Sequence, residues 1–268
     1  MDAELSIRLD AVNDDISLLQ KKQGLTFGTD ALLLASYIEG KYDRALELGA
    51  GTGVISLLLL KREKARQVTA LEVQADFAEI IRKNAVRNDV SDALDSICID
   101  LRDFSCEKKY PLVFTNPPYM RCDSGKANVY DEKNIARHEV KGTIFDFCKC
   151  ASRSLKFGGS FYAVYRTDRM ADLICAMREC KIEPKRITFV HADENSPPSM
   201  LLIEGKCGAA PSMRVTPPLI LYKDSAHKTY SEDYEYIYQN GRFSEKFQIR
   251  NARKTPKEVL DGTGKKQN

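Results

Sequence analysis

The chain carries Glu47-Leu48-Gly49-Ala50-Gly51-Thr52-Gly53 between a short apolar strand at residues 44–48 and a helical run at residues 54–61. Glycines allow a tight turn after the strand, and they let a ligand approach bare backbone at the N-terminus of the helix. A dinucleotide-binding loop needs a third small residue three places after Gly51, where this chain has Val54. The stretch therefore predicts a strand, a ligand-binding loop and a helix. Because of Val54, the loop is not well matched to binding a pyrophosphate.

The spacing of Gly49, Gly51 and Gly53 resembles motif I of the class I methyltransferases, which bind S-adenosylmethionine. This resemblance implies that the three glycines contact the cofactor, together with Glu47 at the start of the motif.

Acidic residues follow the next two predicted strands. The strand at residues 68–71 precedes Glu72, which can accept hydrogen bonds from both ribose hydroxyls of the cofactor, and Val73 beside it can pack on the adenine ring. The following strand precedes Asp100, which is placed to accept the adenine amino group. Asp100 can equally cap a helix or lie in a solvated turn, and Asp103 competes with it for the adenine.

A second motif, Asn116-Pro117-Pro118-Tyr119, comes directly after the apolar run at residues 112–115. The two prolines lack N–H groups, so this turn offers carbonyl oxygens without competing donors. The side-chain oxygen of Asn116 and the carbonyl of Pro117 can accept both hydrogens of an exocyclic amine, which aims the nitrogen lone pair at an incoming methyl group. Tyr119 supplies a flat face for a base taken out of its stack. The motif predicts methylation of an adenine amine, and its simpler interpretation is an ordinary proline-rich turn.

From about Leu9 to about Tyr238 the chain resembles the bacterial tRNA(Val) adenine-N6 methyltransferase family, which modifies the adenine following the anticodon. The similarity is carried by residues 24–35, 47–53, 116–119, 136–139 and 154–161. It implies that Thr29 and Asp30 close over the methionine end of the cofactor. From the residues alone, Asp30 can equally be only the N-terminal cap of a helix at residues 31–38.

The same resemblance implies two further groups of site residues. Asn116, Pro117 and Tyr119 are expected to be catalytic, with Asn116 also contacting the cofactor. The expected substrate contacts are Pro118, Tyr119, Arg121 and Arg137.

Strand and helix patterns alternate over about 240 residues, which predicts an α/β class I methyltransferase (Rossmann-like) fold with a mostly parallel sheet of seven strands. The last two strands, at residues 186–191 and 200–204, are expected to form an antiparallel hairpin. We expect one domain at residues 1–240, in which residues 1–40 cover the cofactor. Residues 241–268 are expected to be a basic, flexible tail.

Charge is uneven along the chain. The last 28 residues hold eight Lys or Arg and three acids, a net charge of +5, so the first 240 residues sum to −2 within the overall +3. Phosphate attraction must therefore come from the tail or from local patches, such as residues 61–66 and 120–135, although a charge run is usually only a solvated face. Residues 192–200 are less basic than the resemblance implies, which puts an RNA contact there in doubt.

Other features exclude several classes of protein. The eight cysteines contain no C-x-x-C pair, which argues against a zinc site or a disulfide framework, so no metal is expected. No apolar stretch approaches the ~20 residues of a membrane span, and the acidic N-terminus is unlike a signal peptide. We expect a cytoplasmic enzyme, taken to be a monomer, with tRNA as its partner. A DNA partner is not expected, because the chain has no room for a target-recognition domain.

Two other functions remain open. Enzymes that methylate a glutamine amide of peptide release factors carry the same tetrapeptide motif, but they usually have a separate N-terminal helical domain, and only about 25 residues precede Thr29 here. The other alternative is a cofactor-binding RNA-interaction protein without turnover.

Overall fold

Strands and helices alternate along the part of the chain that the computed structural model describes, residues 7–13, 15–22, 27–118 and 142–248. The strands are β1 (Ile7–Asn13), β2 (Ile16–Lys21), β3 (Tyr42–Leu48), β4 (Ala65–Glu72), β5 (Leu94–Cys98), β6 (Tyr110–Thr115), β7 (Leu155–Arg166), β8 (Ile182–His191), β9 (Pro198–Cys207), β10 (Arg214–Val215) and β11 (Leu219–Ile220). The helices are α1 (Thr29–Tyr37), α2 (Val54–Lys61), α3 (Ala75–Arg87), α4 (Ile144–Ser154), α5 (Met170–Glu179) and α6 (Glu232–Asn240).

The main sheet has the order β10-β8-β9-β7-β6-β3-β4-β5, and β11 also pairs with β8. Strands β3 to β7 all run parallel to one another, whereas β9 runs antiparallel to both of its neighbours, β7 and β8. This confirms the predicted α/β fold with a mostly parallel sheet and an antiparallel hairpin. The sheet has nine strands rather than the predicted seven, because the two-residue strands β10 and β11 lengthen its edge along β8.

The direction of the strands decides where a site can form. Because β9 is antiparallel to both of its neighbours, β7 and β8 run in the same direction as β3 and β6. The carboxyl ends of these strands therefore meet at one edge, which we call the carboxyl edge, and ligands of open α/β sheets bind there.

Apolar side chains cover both faces of the sheet. Successive residues of a strand point to opposite faces, so Leu112 and Phe114 of β6 join the cluster under α1 and α2, while Val113 joins the cluster under α4 and α5. Helix α2 spans the predicted residues, and the other predicted elements differ from the structure by a few residues at their ends.

The N-terminal segment contains an antiparallel hairpin of β1 and β2 that the sequence analysis did not predict. Asn84 of α3 and Asn88, the C-cap of that helix, bind the backbone of β2 as a neighbouring strand would. Asn84 accepts from Leu19 N at 2.7 Å and donates to Leu19 O at 3.1 Å, while Asn88 makes the same pair of bonds with Ser17 at 3.1 and 2.8 Å. These bonds cover the edge of β2 that does not pair with β1.

Residues 241–248 pack against the domain, so the folded chain extends past the boundary predicted at residue 240. Phe243 and Phe247 are buried, and the carbonyl of Phe247 accepts a hydrogen bond from Arg186 at 2.9 Å. The buried Arg186 side chain also pairs with Glu204 at 3.1 Å and lies 3.9 Å from the centre of the Tyr37 ring. Residues 249–268 of the predicted tail lie outside the described residues.

Within those described ranges, no helix has the length and apolar character needed to span a membrane.

Candidate active site

The glycine loop lies at the carboxyl edge, between β3 and α2. Its first glycine donates to Leu71 O of β4 at 2.9 Å, which fixes the loop over the end of that strand. A Cβ added at Gly49 would lie 3.1 Å from Phe147, and one added at Gly53 would lie 3.2 Å from Ile81. A Cβ at Gly51 would meet no atom within 4 Å. The outer glycines therefore face packed side chains, whereas the middle glycine faces open space that a ligand can fill.

Glu72 supports this loop from the end of β4. Its side chain is buried, one carboxylate oxygen accepts the N–H of Gly51 at 2.8 Å, and the other accepts the N–H of Gln74 at 2.9 Å. The second of these oxygens also accepts the side-chain amide of Gln74 at 3.4 Å. The oxygen that accepts Gly51 has a second lone pair, so Glu72 retains the capacity to accept a hydroxyl of a bound ligand. Val73 follows it and is half-buried.

Glu47 lies beneath the loop instead of on its open side. The residue is 1% exposed, and its carboxyl accepts a hydrogen bond from the Ser56 hydroxyl of α2. Burial raises the pKa of Glu47 to about 8, because desolvation disfavours the charged form. Its hydrogen bond joins β3 to the first turn of α2 and so helps to hold the loop.

The two acids after β5 lie in one turn. Asp100 accepts the backbone N–H of Arg102 at 2.8 Å and pairs with the Arg102 guanidinium at 2.5 Å. Hydrogen bonding from the Arg102 side chain holds the pKa of the Asp100 carboxyl below its ordinary value. Asp103 is exposed, and its N–H donates to the carbonyl of Asp100 at 3.0 Å.

Asn116 follows β6 and reaches across the carboxyl edge to α1. Its Nδ2 donates to Oδ2 of Asp30 at 2.8 Å. The N-cap of α1 is Gly28, with no side-chain cap hydrogen bond, so Asp30 is not the N-terminal cap of this helix. The helix begins at Thr29, which places Asp30 in its first turn, where Oδ1 accepts the N–H of Ala31 at 2.9 Å. Asp30 therefore joins the N-terminal helix to the predicted catalytic turn.

This contact sets the direction of the Asn116 amide. The nitrogen of Asn116 faces the Asp30 side chain, so Oδ1, on the other side of the amide group, is directed away from Asp30. The preceding residue, Thr115, donates to Leu48 O at 2.8 Å, which holds the end of β6 against the end of β3. Asn116 therefore lies beside the glycine loop with its oxygen oriented by a specific partner.

The rest of the motif is only partly described. Pro117 is buried and Pro118 is half-buried. Tyr119, Arg121 and Arg137 lie outside the described residues, as does the predicted phosphate-binding patch at residues 120–135.

The segment after β8, whose acidity put an RNA contact in doubt, directs its first acid inward. Asp193 is 4% exposed and accepts hydrogen bonds from Ser196 Oγ at 2.7 Å and from the backbone N–H of Asn195 at 2.9 Å, and it pairs with His227 Nε2 at 3.0 Å. Hydrogen bonds from His227 and Ser196 lower the pKa of Asp193 to about 2. The carboxylate of Asp193 is thus bound by neighbouring groups of the same chain.

Residues 22–179 match the family model described as methyltransferase small domain. The chain belongs to this family. A Phocaeicola vulgatus relative, named tRNA1(Val) (adenine(37)-N6)-methyltransferase, is 30% identical over 187 residues, covering 67% of this chain and 76% of the relative. A Dyadobacter fermentans relative of the same name is 26% identical over 199 residues, covering 73% of this chain and 81% of the relative. These relatives confirm the resemblance inferred from the motifs.

Among solved structures, a predicted O-methyltransferase from Agrobacterium tumefaciens is similar in fold, with a TM-score of 0.64 and 22% identity, covering 81% of this chain and 98% of that one. The chain is a class I methyltransferase, and S-adenosylmethionine is its cofactor. The open space over Gly51 and the acceptor oxygens of Glu72 fit this group.

Proposed function

We propose that this methyltransferase acts on the exocyclic N6 amine of an adenine in tRNA, and that its target is the adenine following the anticodon of tRNA(Val). The observation that carries this proposal is the hydrogen bond from Asn116 Nδ2 to Asp30 beside the open glycine loop. The names of the relatives support the substrate. We place this reaction in the cytoplasm, with a monomeric enzyme that does not act on DNA.

Different residues of the carboxyl edge bind different parts of the cofactor. Glu72 and the loop around Gly51 hold the nucleoside part of the cofactor, with Val73 against its adenine and Asp100 or Asp103 near the amino group. Thr29 and Asp30, in the first turn of α1, cover the methionine end. Bound S-adenosylmethionine supplies an activated methyl group.

Asn116 and Pro117 act on the substrate amine. The lone pair of an adenine amine is delocalised into the ring, so the amine is a poor nucleophile until its hydrogens are held out of conjugation. Asn116 Oδ1 accepts one hydrogen because Asp30 keeps the amide nitrogen turned away, and the carbonyl of Pro117 accepts the other. These oriented dipoles favour the transition state, and the amine loses its proton after transfer, so no side-chain base is required.

The remaining motif residues complete the proposed substrate site. Pro118 and Tyr119 contact the flipped base, with Tyr119 as the stacking face, and Arg121 and Arg137 contact the RNA. Bases are most easily flipped from unpaired regions, which agrees with a target in the anticodon loop.

The test separates binding from chemistry. Asn116→Ala should leave cofactor affinity, measured by calorimetry, within a few-fold of the wild-type value, while turnover on unmodified tRNA falls about 100-fold or more. Asn240→Ala removes an exposed asparagine whose amide donates to Tyr236 O of its own helix, and it should leave turnover unchanged. Near-normal turnover of Asn116→Ala would show that Asn116 is structural.

A further inference from the structure

Asn84 of α3 is buried, and its side chain hydrogen-bonds two segments that are distant in the sequence. Its Oδ1 accepts the N–H of Leu19 at 2.7 Å, and its Nδ2 donates to Leu19 O at 3.1 Å and to Thr52 O at 2.9 Å. Leu19 belongs to β2 of the N-terminal hairpin, and Thr52 lies in the glycine loop between Gly51 and Gly53. One amide group therefore joins the hairpin to the loop proposed to hold the cofactor.

The bond from Asn84 helps to fix one peptide unit of the glycine loop. Thr52 supplies the carbonyl of this unit, and Gly53 supplies its N–H, which donates to Ala50 O at 2.9 Å. A peptide unit is planar, so holding both of its polar groups sets its orientation. The backbone that follows the open space over the loop is thus held by a side chain from outside the loop.

Helix α2, which the loop opens, does not supply this support itself. Its N-cap is Gly53, with φ 78 and no side-chain cap hydrogen bond. Glycine has more backbone freedom than any other residue, so a loop with three glycines needs contacts from neighbouring elements to keep one conformation. Glu72 holds the N–H of Gly51 at 2.8 Å, and Asn84 holds the next carbonyl along the chain, that of Thr52.

The hairpin continues these contacts to the start of α1. Gln20, the residue after Leu19, is buried, and its Oε1 accepts the N–H of Phe27 at 2.6 Å. Its Nε2 donates to Asp10 of β1 at 2.6 Å. Phe27 lies shortly before the first turn of α1, which carries Asp30. Strand β2 is therefore bonded both to the support of the glycine loop and to the segment that leads into the proposed cover of the methionine end.

Asn88 offers a comparison one turn further along. It is also buried, and it makes the same pair of bonds with β2, at Ser17. Its third hydrogen bond is donated to the backbone carbonyl of Asn84 at 2.8 Å, within the helix, whereas the third bond of Asn84 is donated to Thr52 of the loop. An asparagine that served only to hold the hairpin would need no more than the contacts of Asn88.

We infer that Asn84 is a positioning residue for the cofactor, which keeps the glycine loop in its binding conformation and fixes the loop relative to the N-terminal hairpin. Asn84 acts through the backbone of Thr52 and does not need to touch the cofactor. The inference rests on the cofactor site of the proposed function and does not depend on the RNA target.

Calorimetry of S-adenosylmethionine binding to the full chain tests this role, at a temperature where every variant is folded. Asn84→Ala should weaken the affinity about tenfold, because a loop that adopts its binding conformation about a tenth of the time binds tenfold more weakly. Asn88→Ala should keep the affinity of the wild-type protein, although it also releases β2. Thermal unfolding without cofactor should show similar losses of stability in both variants, since each loses three hydrogen bonds of a buried amide.

The matched pair separates positioning from stability. A loss of cofactor affinity in Asn84→Ala, without a loss in Asn88→Ala, is the result that supports the inference. Wild-type affinity in Asn84→Ala would overturn it. Equal losses of affinity in the two variants would assign the effect to release of the hairpin and would also overturn it.

A second pair of variants serves if Asn84→Ala does not fold. Asn84→Asp keeps the size of the side chain and the acceptor for Leu19 N, but a carboxyl group has at most one donor for the two carbonyls that Asn84 binds. Its cofactor affinity should fall, and Asn88→Asp controls for the buried carboxyl group. Wild-type affinity in Asn84→Asp, or equal losses in the two aspartate variants, would contradict the role of Asn84.

Failure of the proposed function gives a different result. These measurements contain no RNA, so a protein that leaves tRNA unmethylated would not change them. If Gly51→Ala binds the cofactor normally, the proposed cofactor site itself is refuted. If Gly51→Ala binds weakly while Asn84→Ala binds normally, the site stands and only the role of Asn84 is refuted.

Discussion

Asn116 Nδ2 donates a hydrogen bond to Asp30 Oδ2 at 2.8 Å, although the two residues lie 86 positions apart in the chain. One residue follows the strand β6, and the other lies in the first turn of α1. Their contact joins α1 to the turn after β6 and directs the nitrogen of the Asn116 amide toward Asp30. Asp30 is therefore assigned as a positioning residue that acts through Asn116, in addition to its proposed place over the cofactor.

A double-mutant cycle tests this relationship. Asp30→Ala should lower kcat about tenfold at saturating cofactor and tRNA, because the Asn116 amide then loses the acceptor that binds its nitrogen. Asp30→Ala combined with Asn116→Ala should be no slower than Asn116→Ala alone, since the orienting partner has nothing left to orient. Asp76→Ala is a matched control, because Asp76 is also the second residue of a helix at this edge and is exposed. Losses that multiply in the double variant would assign Asp30 an independent role.

The glycine loop gives a prediction about cofactor binding. Gly51→Ala should weaken cofactor affinity at least tenfold, because its methyl group would enter the open space over the loop. Part of any effect is backbone strain, since Gly51 has φ 57. Gly158→Ala carries the same kind of strain, with φ 72 and no atom within 4 Å of the added Cβ, but lies at the other edge. Calorimetry should show normal cofactor affinity for Gly158→Ala, and equal affinities for the two variants would refute the ligand space over Gly51.

The buried carboxyl of Glu47 predicts a pH dependence of stability. Its pKa is about 8 in the folded protein and 4.5 when unperturbed, so between these values the unfolded state binds fewer protons than the folded state. The free energy of unfolding should therefore fall as pH rises from about 4.5 to about 8. Glu47→Gln keeps an acceptor for Ser56 and should reduce this fall, as measured by urea denaturation at pH 5 and pH 8. Glu63→Gln, at an 82% exposed side chain, should keep the wild-type slope.

Deletion of residues 249–268 tests the predicted basic tail and retains the buried Phe243 and Phe247. The deleted segment carries six Lys or Arg and two acids, a net charge of +4. If it contacts phosphates, RNA affinity should fall more at low salt than at high salt, because screening already weakens such contacts in high salt. Anisotropy titrations at several salt concentrations measure this. An unchanged salt slope would show that the tail is only a solvated end.

Local patterns in the sequence were sufficient to predict the elements at the centre of the fold. The glycine loop, the apolar strand before it and the helix Val54–Lys61 follow from short-range signals, and Glu72 does end β4. Helix α6 carried such signals too but was missed: Ser231 caps it by accepting the Tyr234 N–H at 3.1 Å, acids fill its first turn, and Gly241 follows it.

Long-range contacts explain what the sequence could not predict. The basic composition of residues 241–268 indicated a tail, but Phe243 and Phe247 find partners on α1 and β8 that no local pattern specifies. Pairing of Asp30 with Asn116 likewise depends on how α1 packs beside β6. The resemblance to a family predicted that both residues belong to the site, but it did not predict that they contact each other.

Methyl transfer to an adenine amine of tRNA is tested by identification of the reaction product. Purified protein with labelled S-adenosylmethionine should be offered unmodified tRNA(Val) transcript and a peptide release factor in separate reactions, followed by mass spectrometry of the digested nucleosides and peptides. We expect N6-methyladenosine at the position following the anticodon and no label on the release factor. Label on a release-factor glutamine, with none on tRNA, would contradict the proposed substrate while leaving the fold and the cofactor in place.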